Sequence, residues 1–188
     1  MHADVHDRLC DALAALADAA VVGDGMDDAT QFGPLQNRAQ YERVRMLRDA
    51  AAQHGTVLTR NVDVPAQGYF IRPTVIRDLR PGVRLVDEEQ FGPVLPVIKV
   101  RDAEEALAWA NDTPYGLGGS VWSADEARGI ELAGRLEAGT VWVNKHQDIA
   151  PHLPFAGTKY SGIGVEFGLE GVLEFTQTQV INLRPAAR

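Results

Sequence analysis

The apolar run Val94-Leu95-Pro96-Val97-Ile98, entered through Gly92-Pro93, constrains this chain more than any other segment. The glycine-proline pair punctuates a tight turn into a strand. The rest of the sequence alternates helical and strand periodicities around it. Val5, Leu9, Leu13 and Leu16 recur at helical spacing, so residues 4–20 read as an amphipathic helix whose buried stripe they form. Val22-Gly23-Asp24-Gly25 breaks it. Tyr41, Val44, Leu47 and Ala51 give a second helix, stopped near Gly55. Residues 56–59 and 70–76 read as short strands, the latter interrupted at Pro73, and residues 94–100 as a buried strand. Asp102-Ala103-Glu104-Glu105 opens a third helix with acids where the helix dipole favours them. Residues 120–122 read as a strand, 124–136 as a helix, and 140–143 as a strand that is apolar apart from Thr140. This order predicts an α/β fold, a parallel sheet wrapped by helices. The end differs: residues 175–183 alternate Thr, Gln and apolar side chains, a pattern for a half-exposed strand that pairs elsewhere.

Composition sets outer bounds. The 188 residues carry a net charge of −8, which argues against nucleic acid or an anionic membrane as partner. No apolar stretch approaches membrane-spanning length, and the N-terminus lacks a signal-peptide pattern. A single cysteine, Cys10, forms no internal disulfide, so a cytoplasmic location is expected. The run 61–67 reads as a surface turn and the tail 184–188 as frayed.

Two adjacent acids, Glu88 and Glu89, precede Gln90, Phe91 and the Gly92-Pro93 turn. A carboxylate can accept both hydroxyls of a ribose, and an aromatic ring can pack on a flat heterocycle. Strand ends in α/β proteins are common ligand positions. A solvated acidic turn before a core strand fits the same residues.

Four segments in order resolve part of that ambiguity. Residues 88–94 resemble the Glu-x-Phe-Gly-Pro signature of the aldehyde dehydrogenase superfamily. Asn111-Asp112-Thr113-Pro114-Tyr115-Gly116-Leu117 resembles its Asn-x-x-x-Tyr-Gly-Leu segment, and Gly139-Thr140-Val141-Trp142-Val143-Asn144 its Gly-x-x-x-x-Asn strand. Pro154-Phe155-Ala156-Gly157-Thr158-Lys159-Tyr160-Ser161-Gly162-Ile163-Gly164 resembles its Pro-Phe-Gly-Gly-x-Lys-x-Ser-Gly-x-Gly loop, with Ala156 where glycine is usual.

The resemblance implies the C-terminal part of a three-layer, parallel-sheet catalytic domain over residues 1–167. A connecting helix and an oligomerisation strand would follow over 168–188. It implies an aldehyde substrate and NAD or NADP as cofactor, bound weakly or not at all by this chain alone. Glu89 matches the acid that holds the nicotinamide-side ribose, with Glu88 the second choice; Phe91 matches the aromatic beside the nicotinamide, and Gln40 a polar helix residue near the cofactor. Phe155 matches an aromatic of the aldehyde channel. The loop 145–153 should set substrate choice, with Ile149 where an aromatic is often found.

The family's nucleophile is a cysteine following a Gly-Gln element on a loop. Cys10 lies instead on the first helix between Asp7 and Asp11, and negative neighbours disfavour a thiolate, so it reads as a packing residue. By the resemblance the true nucleophile and the general base lie upstream of Met1. The chain alone should then be inactive, marginally stable or self-associating through newly exposed apolar surface. Its alternatives are half of a split enzyme, or a non-catalytic module that joins a homo-oligomer or full-length subunits through Thr176 to Leu183. His146 and His152 with Asp148, and His2 with His6, fit no strong metal-ligand spacing. Gly23-Asp24-Gly25 is no dinucleotide fingerprint. Asn144 reads as a structural residue that orders the following loop.

Overall fold

The first helix, α1 (Ala3–Ala19), begins behind His2, whose ring nitrogen accepts from the Asp4 amide at 3.3 Å. The computed structural model describes residues 1–60 and 64–185, and the chain divides into two compact units, Met1–Ala106 and Leu107–Arg188.

In the first unit, β1 (Thr56–Val57), β2 (Thr74–Arg77) and β3 (Val94–Val97) form a sheet in that order. β2 runs parallel to β3, with Thr74 opposite Val94 and Arg77 opposite Val97, and antiparallel to β1. Side chains alternate faces along a strand. Val75 and Val97 therefore pack under Cys10 and Ala17 of α1, while Ile76 and Val94 pack under Val44, Leu47 and Ala51 of α2 (Arg38–Ala51). The sheet is covered on both faces, the three-layer arrangement the resemblance implied, here within one unit. Asn37 caps α2 by accepting from the Gln40 amide at 2.9 Å. A short helix, α3 (Arg84–Asp87), precedes the acidic turn. α4 (Ala103–Asn111) starts at Asp102, whose carboxylate accepts from the Glu105 amide at 2.8 Å.

In the second unit, β4 (Tyr115–Gly116) is followed by β5 (Gly118–Val121). The latter runs parallel to β6 (Thr140–Val143) across the helix α5 (Glu126–Ala133), a βαβ crossover. Two antiparallel ladders pin the segment after β6. β7 (Phe155–Ala156) pairs with β9 (Val165–Glu166), and β4 pairs with β8 (Thr158–Lys159). Gly139 permits this packing: a Cβ there would sit 1.7 Å from the Ala156 carbonyl oxygen. Ala156 itself sits in a regular ladder opposite Val165, so the departure from glycine leaves the loop ordered. α6 (Gly168–Leu173) closes the regular structure.

Several expectations change. The buried stripe of α1 is His6, Cys10, Leu13 and Ala17, whereas Val5, Leu9 and Leu16 are exposed at 38%, 41% and 71%. Both stripes have helical spacing, and contact with β2 and β3 selects the one with the smaller side chains. The strand over 70–76 starts only at Thr74, after Pro73, and that over 94–100 stops at Val97, leaving Val100 in a single bridge to His2. β1 ends at Val57 and α5 spans fewer residues than 124–136. Residues 175–183, expected to pair outside the chain, are not among these changes: they enter no ladder among the described residues, and Phe175, Val180, Ile181 and Leu183 are all more than 80% exposed. The turn expected over 61–67 falls partly, and the frayed tail over 184–188 mostly, outside the described residues. No described helix is long and apolar enough to cross a membrane.

Leu47 is fully buried between α2 and the sheet. Leu47→Ala should lower the unfolding free energy of the first unit by about 2–5 kcal/mol in urea denaturation. Leu16→Ala, on the exposed face of α1, should change it by less than about 0.5 kcal/mol.

Candidate functional site

The turn at residues 88–93 lies against one face of α2. A Cβ on Gly92 would come within 2.7 Å of the Val44 side chain, so glycine lets the turn settle on the helix. The Pro93 carbonyl accepts from the Thr74 amide at 2.8 Å, and the Gln90 side-chain amide donates to the Val94 carbonyl at 2.9 Å. Both bonds fix the turn to the sheet. The Gln40 amide donates to the carbonyls of Gln90 and, at 3.3 Å, Phe91. One nitrogen of the Arg43 guanidinium donates to the Glu88 carboxylate at 3.2 Å and to the Glu89 carbonyl at 3.1 Å. Arg84 holds Glu88 from the other side, at 2.5 and 3.2 Å.

These bonds separate the two acids. The Arg84 hydrogen bond first, opposed by burial and aided by the charges of Arg84 and Arg43, holds the Glu88 carboxyl below the usual carboxylate range. Glu89 is exposed, and its carboxylate has no partner among the described residues. Phe91 is 77% exposed and has φ of 52°, a left-handed conformation rare for an aromatic residue. A turn tied at consecutive carbonyls over-determines that conformation. An outward carboxylate beside an outward ring suits a ribose and a flat heterocycle, so the residues fit one end of a nicotinamide dinucleotide. Gln40, expected beside the cofactor, is here bonded to the backbone that carries Phe91.

Cys10 takes the position expected of a packing residue. It is fully buried, with Sγ 3.7 Å from Nε2 of His6, which is also fully buried; His6 Nδ1 donates to Asp7 at 2.8 Å. The order Cys-His-Asp has the connectivity of a catalytic triad. Burial nevertheless pushes the thiol pKa up, with Asp78, Asp7 and Asp11 adding to it and Arg77 opposing. A substrate cannot reach a fully buried sulfur. Asp7 is exposed, and its bond to His6, then that to Lys99, hold its pKa down at about 2.

In the second unit, the loop 145–153 is tied at its root. Asn144, at φ of 54°, accepts from the Ser123 amide at 2.8 Å and donates to the Ser123 carbonyl at 2.9 Å. The Trp142 indole donates to the Asp148 carbonyl at 2.9 Å, Lys145 pairs with Asp148 at 2.6 Å, and His146 Nδ1 lies 2.6 Å from Ser120 Oγ. Phe155 lines an open depression of about 970 Å³ with Leu117, Pro151 and Phe167, whereas Ile149 is exposed on the loop and does not line it. No group of three or more His, Cys, Asp or Glu among the described residues is placed to hold a metal.

The Aldehyde dehydrogenase family matches residues 1–181. The chain belongs to the aldehyde dehydrogenase family. It is 36% identical to the betaine aldehyde dehydrogenase of Brucella anthropi over 96% of its length, and 39% identical to the succinate-semialdehyde dehydrogenase [NADP(+)] of Deinococcus radiodurans over 97%. It spans only 38% of either relative. Among solved structures, the succinic semialdehyde dehydrogenase of Streptococcus pyogenes in complex with NADP+ matches 98% of the chain with a TM-score of 0.90 at 31% identity. PnpE of Pseudomonas sp. WBC-3 in complex with nicotinamide adenine dinucleotide matches 94% with a TM-score of 0.87 at 36% identity. The chain covers 41% and 37% of those two structures.

Within this aldehyde dehydrogenase chain, Arg43 and Arg84 escaped the sequence reading. Both had a signal. Arg43 lies one turn beyond Gln40 and next to Val44 on the inward stripe of α2, and Arg84 stands four residues before Glu88 in α3.

Ellman's reagent should leave Cys10 unmodified in the native chain and titrate one thiol after denaturation. Fast labelling of the folded chain would contradict its packing role. Asp7 gives a pH dependence of definite sign. Its folded pKa of about 2 lies below the ordinary 3.8, so its stabilisation is complete above pH 3.8 and disappears as pH falls towards 2. Acid unfolding of Asp7→Asn should therefore show a flatter pH dependence across that window than the parent chain.

Proposed function

We propose that this chain supplies the C-terminal part of an NAD(P)-dependent aldehyde dehydrogenase that oxidises an aldehyde to a carboxylic acid. The observation that carries the reading is the turn at 88–93, where Glu88 is bound by two arginines while Glu89 and Phe91 face outward. Glu89 would accept the hydroxyls of the nicotinamide-side ribose, and Phe91 would pack beside the nicotinamide. When bound, NAD or NADP would accept the hydride. Phe155 would form one wall of the aldehyde channel, and the loop 145–153, with Ile149, would influence which aldehyde enters.

The reaction needs a thiolate that attacks the carbonyl carbon to form a thiohemiacetal, and a water that later releases the acid. The one cysteine of these 188 residues is buried, so the nucleophile would come from other polypeptide, and by the family resemblance the general base would come from there too. That polypeptide is either the rest of a longer chain or a separate partner that completes a split enzyme. A second, non-catalytic reading rests on the exposed segment Thr176 to Leu183. Its alternating side chains suit a strand added to a second copy or to a full-length subunit.

The purified 188-residue chain should yield no reduced nicotinamide from any aldehyde. Mixed with a separately expressed N-terminal portion of a family member, it should restore turnover. Restored turnover should fall about tenfold or more with Glu89→Gln, mainly through weaker cofactor binding. Oxidation by the isolated chain, lost on Cys10→Ser, would overturn this assignment. Deleting 176–183 should abolish any co-purification with full-length subunits under the second reading, without altering the fold of either unit.

A further inference from the structure

We propose that Arg43 is a positioning residue that sorts the two adjacent carboxylates, drawing Glu88 against α2 and turning Glu89 outward toward a ribose. The inference deepens the proposed function and rests on its reading of Glu89.

Three successive carbonyls of the turn, those of Glu89, Gln90 and Phe91, all accept from side chains of α2. Arg43 supplies the first bond and Gln40 the other two, from positions one helical turn apart on the same face. Carbonyls of an extended strand alternate direction, so three turned toward one helix require a bent backbone. The positive φ at Phe91 is where that bend is made. α2 is a firm base for these bonds, because Val44, Leu47 and Ala51 bury it in the core and Asn37 caps it.

Arg43 joins the side chain of one acid to the backbone carbonyl of the other. Its terminal nitrogen spans Glu88 Oε2 and the Glu89 carbonyl, at 3.2 and 3.1 Å. The planar, multiply donating guanidinium suits a bond in two directions, which a lysine ammonium reproduces poorly at this reach. The Arg84 side chain binds the Glu88 carboxylate and the Arg84 carbonyl accepts from the Glu88 amide at 2.8 Å, but none of these bonds reaches the Glu89 carbonyl, whose direction they leave unset. Without Arg43, Glu88 keeps a partner while the peptide at Glu89 is released. The Glu89 side chain then samples more than one direction, and its carboxylate is no longer pre-set for a ligand. Pre-organisation of this kind lowers the entropic cost of binding.

The test uses the full 188-residue chain, isotope-labelled, with nicotinamide riboside as probe. NMR order parameters and amide exchange of residues 88–91 are measured without ligand, and the riboside is then titrated. Arg43→Ala and Arg43→Gln should speed amide exchange at Phe91 and broaden Glu89 and Phe91 selectively, with the urea midpoint of the first unit unchanged. Arg43→Lys should recover only part of the order. Glu88→Gln, which keeps the bond to the Glu89 carbonyl, should disturb the turn less than either. Riboside affinity should fall about threefold to tenfold with Arg43→Ala, the range of one or two lost hydrogen bonds. Order at Glu89 and Phe91 that is unchanged in both Arg43→Ala and Arg43→Gln would overturn the proposal, whatever the affinity. Loosening of the whole of α2 in these variants would also overturn it, since Arg43 would then act as a general structural residue. Glu89→Gln separates the two ideas. A turn that loosens with Arg43→Ala, while Glu89→Gln leaves riboside binding unaffected, would remove the ribose role of Glu89 and retain the positioning by Arg43.

Discussion

The contact between α2 and the turn at residues 88–93 is the constraint on which the rest of the candidate site depends. The inward stripe of α2 covers one face of the sheet through Val44, Leu47 and Ala51. The same helix reaches the turn with Gln40 and Arg43, and Val44 sits where a Gly92 side chain would be. Core packing and ligand-side geometry therefore share one element. The helix is fixed by apolar burial, which is strong and non-directional. The turn is fixed by hydrogen bonds, which are weaker but directional. The first sets where the turn lies, and the second sets which way its side chains face.

Much of this was legible in the sequence. The acids and aromatic before Gly92-Pro93, and the resemblance across four segments, located both the turn and its family. The start of α4 was legible in the acids at 102–105, where Asp102 accepts from the Glu105 amide, whereas the Asn37 cap of α2 was not read. Cys10, read as a packing residue on the first helix, is buried. The face of α1 was not legible. Val5-Leu9-Leu13-Leu16 and His6-Cys10-Leu13-Ala17 both satisfy a helical period, and the sheet beneath chose the second. Strand lengths were overestimated where Pro73 withholds an amide and where β3 gives way to Lys99. The resemblance ranked Glu89 before Glu88, but the bonds that hold the two apart were not read, since they depend on arginines from two different helices meeting one carboxylate. Of the two residues expected near the aldehyde, Phe155 lies on β7 and lines the depression, whereas Ile149 lies on the loop and does not.

The second unit repeats the division between packed and displayed groups. Asn144, Trp142 and Lys145 tie the root of the loop 145–153, and the β7–β9 and β4–β8 ladders hold the segment that carries Phe155. Beyond α6, apolar side chains turn outward at Phe175, Val180, Ile181 and Leu183. Exposed apolar surface of this kind marks places where more polypeptide docks. The chain that displays them spans 38% of the two curated relatives.

Saturation-transfer NMR of NAD+ with the isolated chain tests the central claim most directly, because it reports which end of the dinucleotide touches protein. Saturation should reach the nicotinamide protons and those of its ribose, spare the adenine protons, and disappear with Glu89→Gln. Transfer to the adenine end, or transfer to the nicotinamide end that survives Glu89→Gln, would contradict the account of residues 88–93 as the cofactor-facing turn.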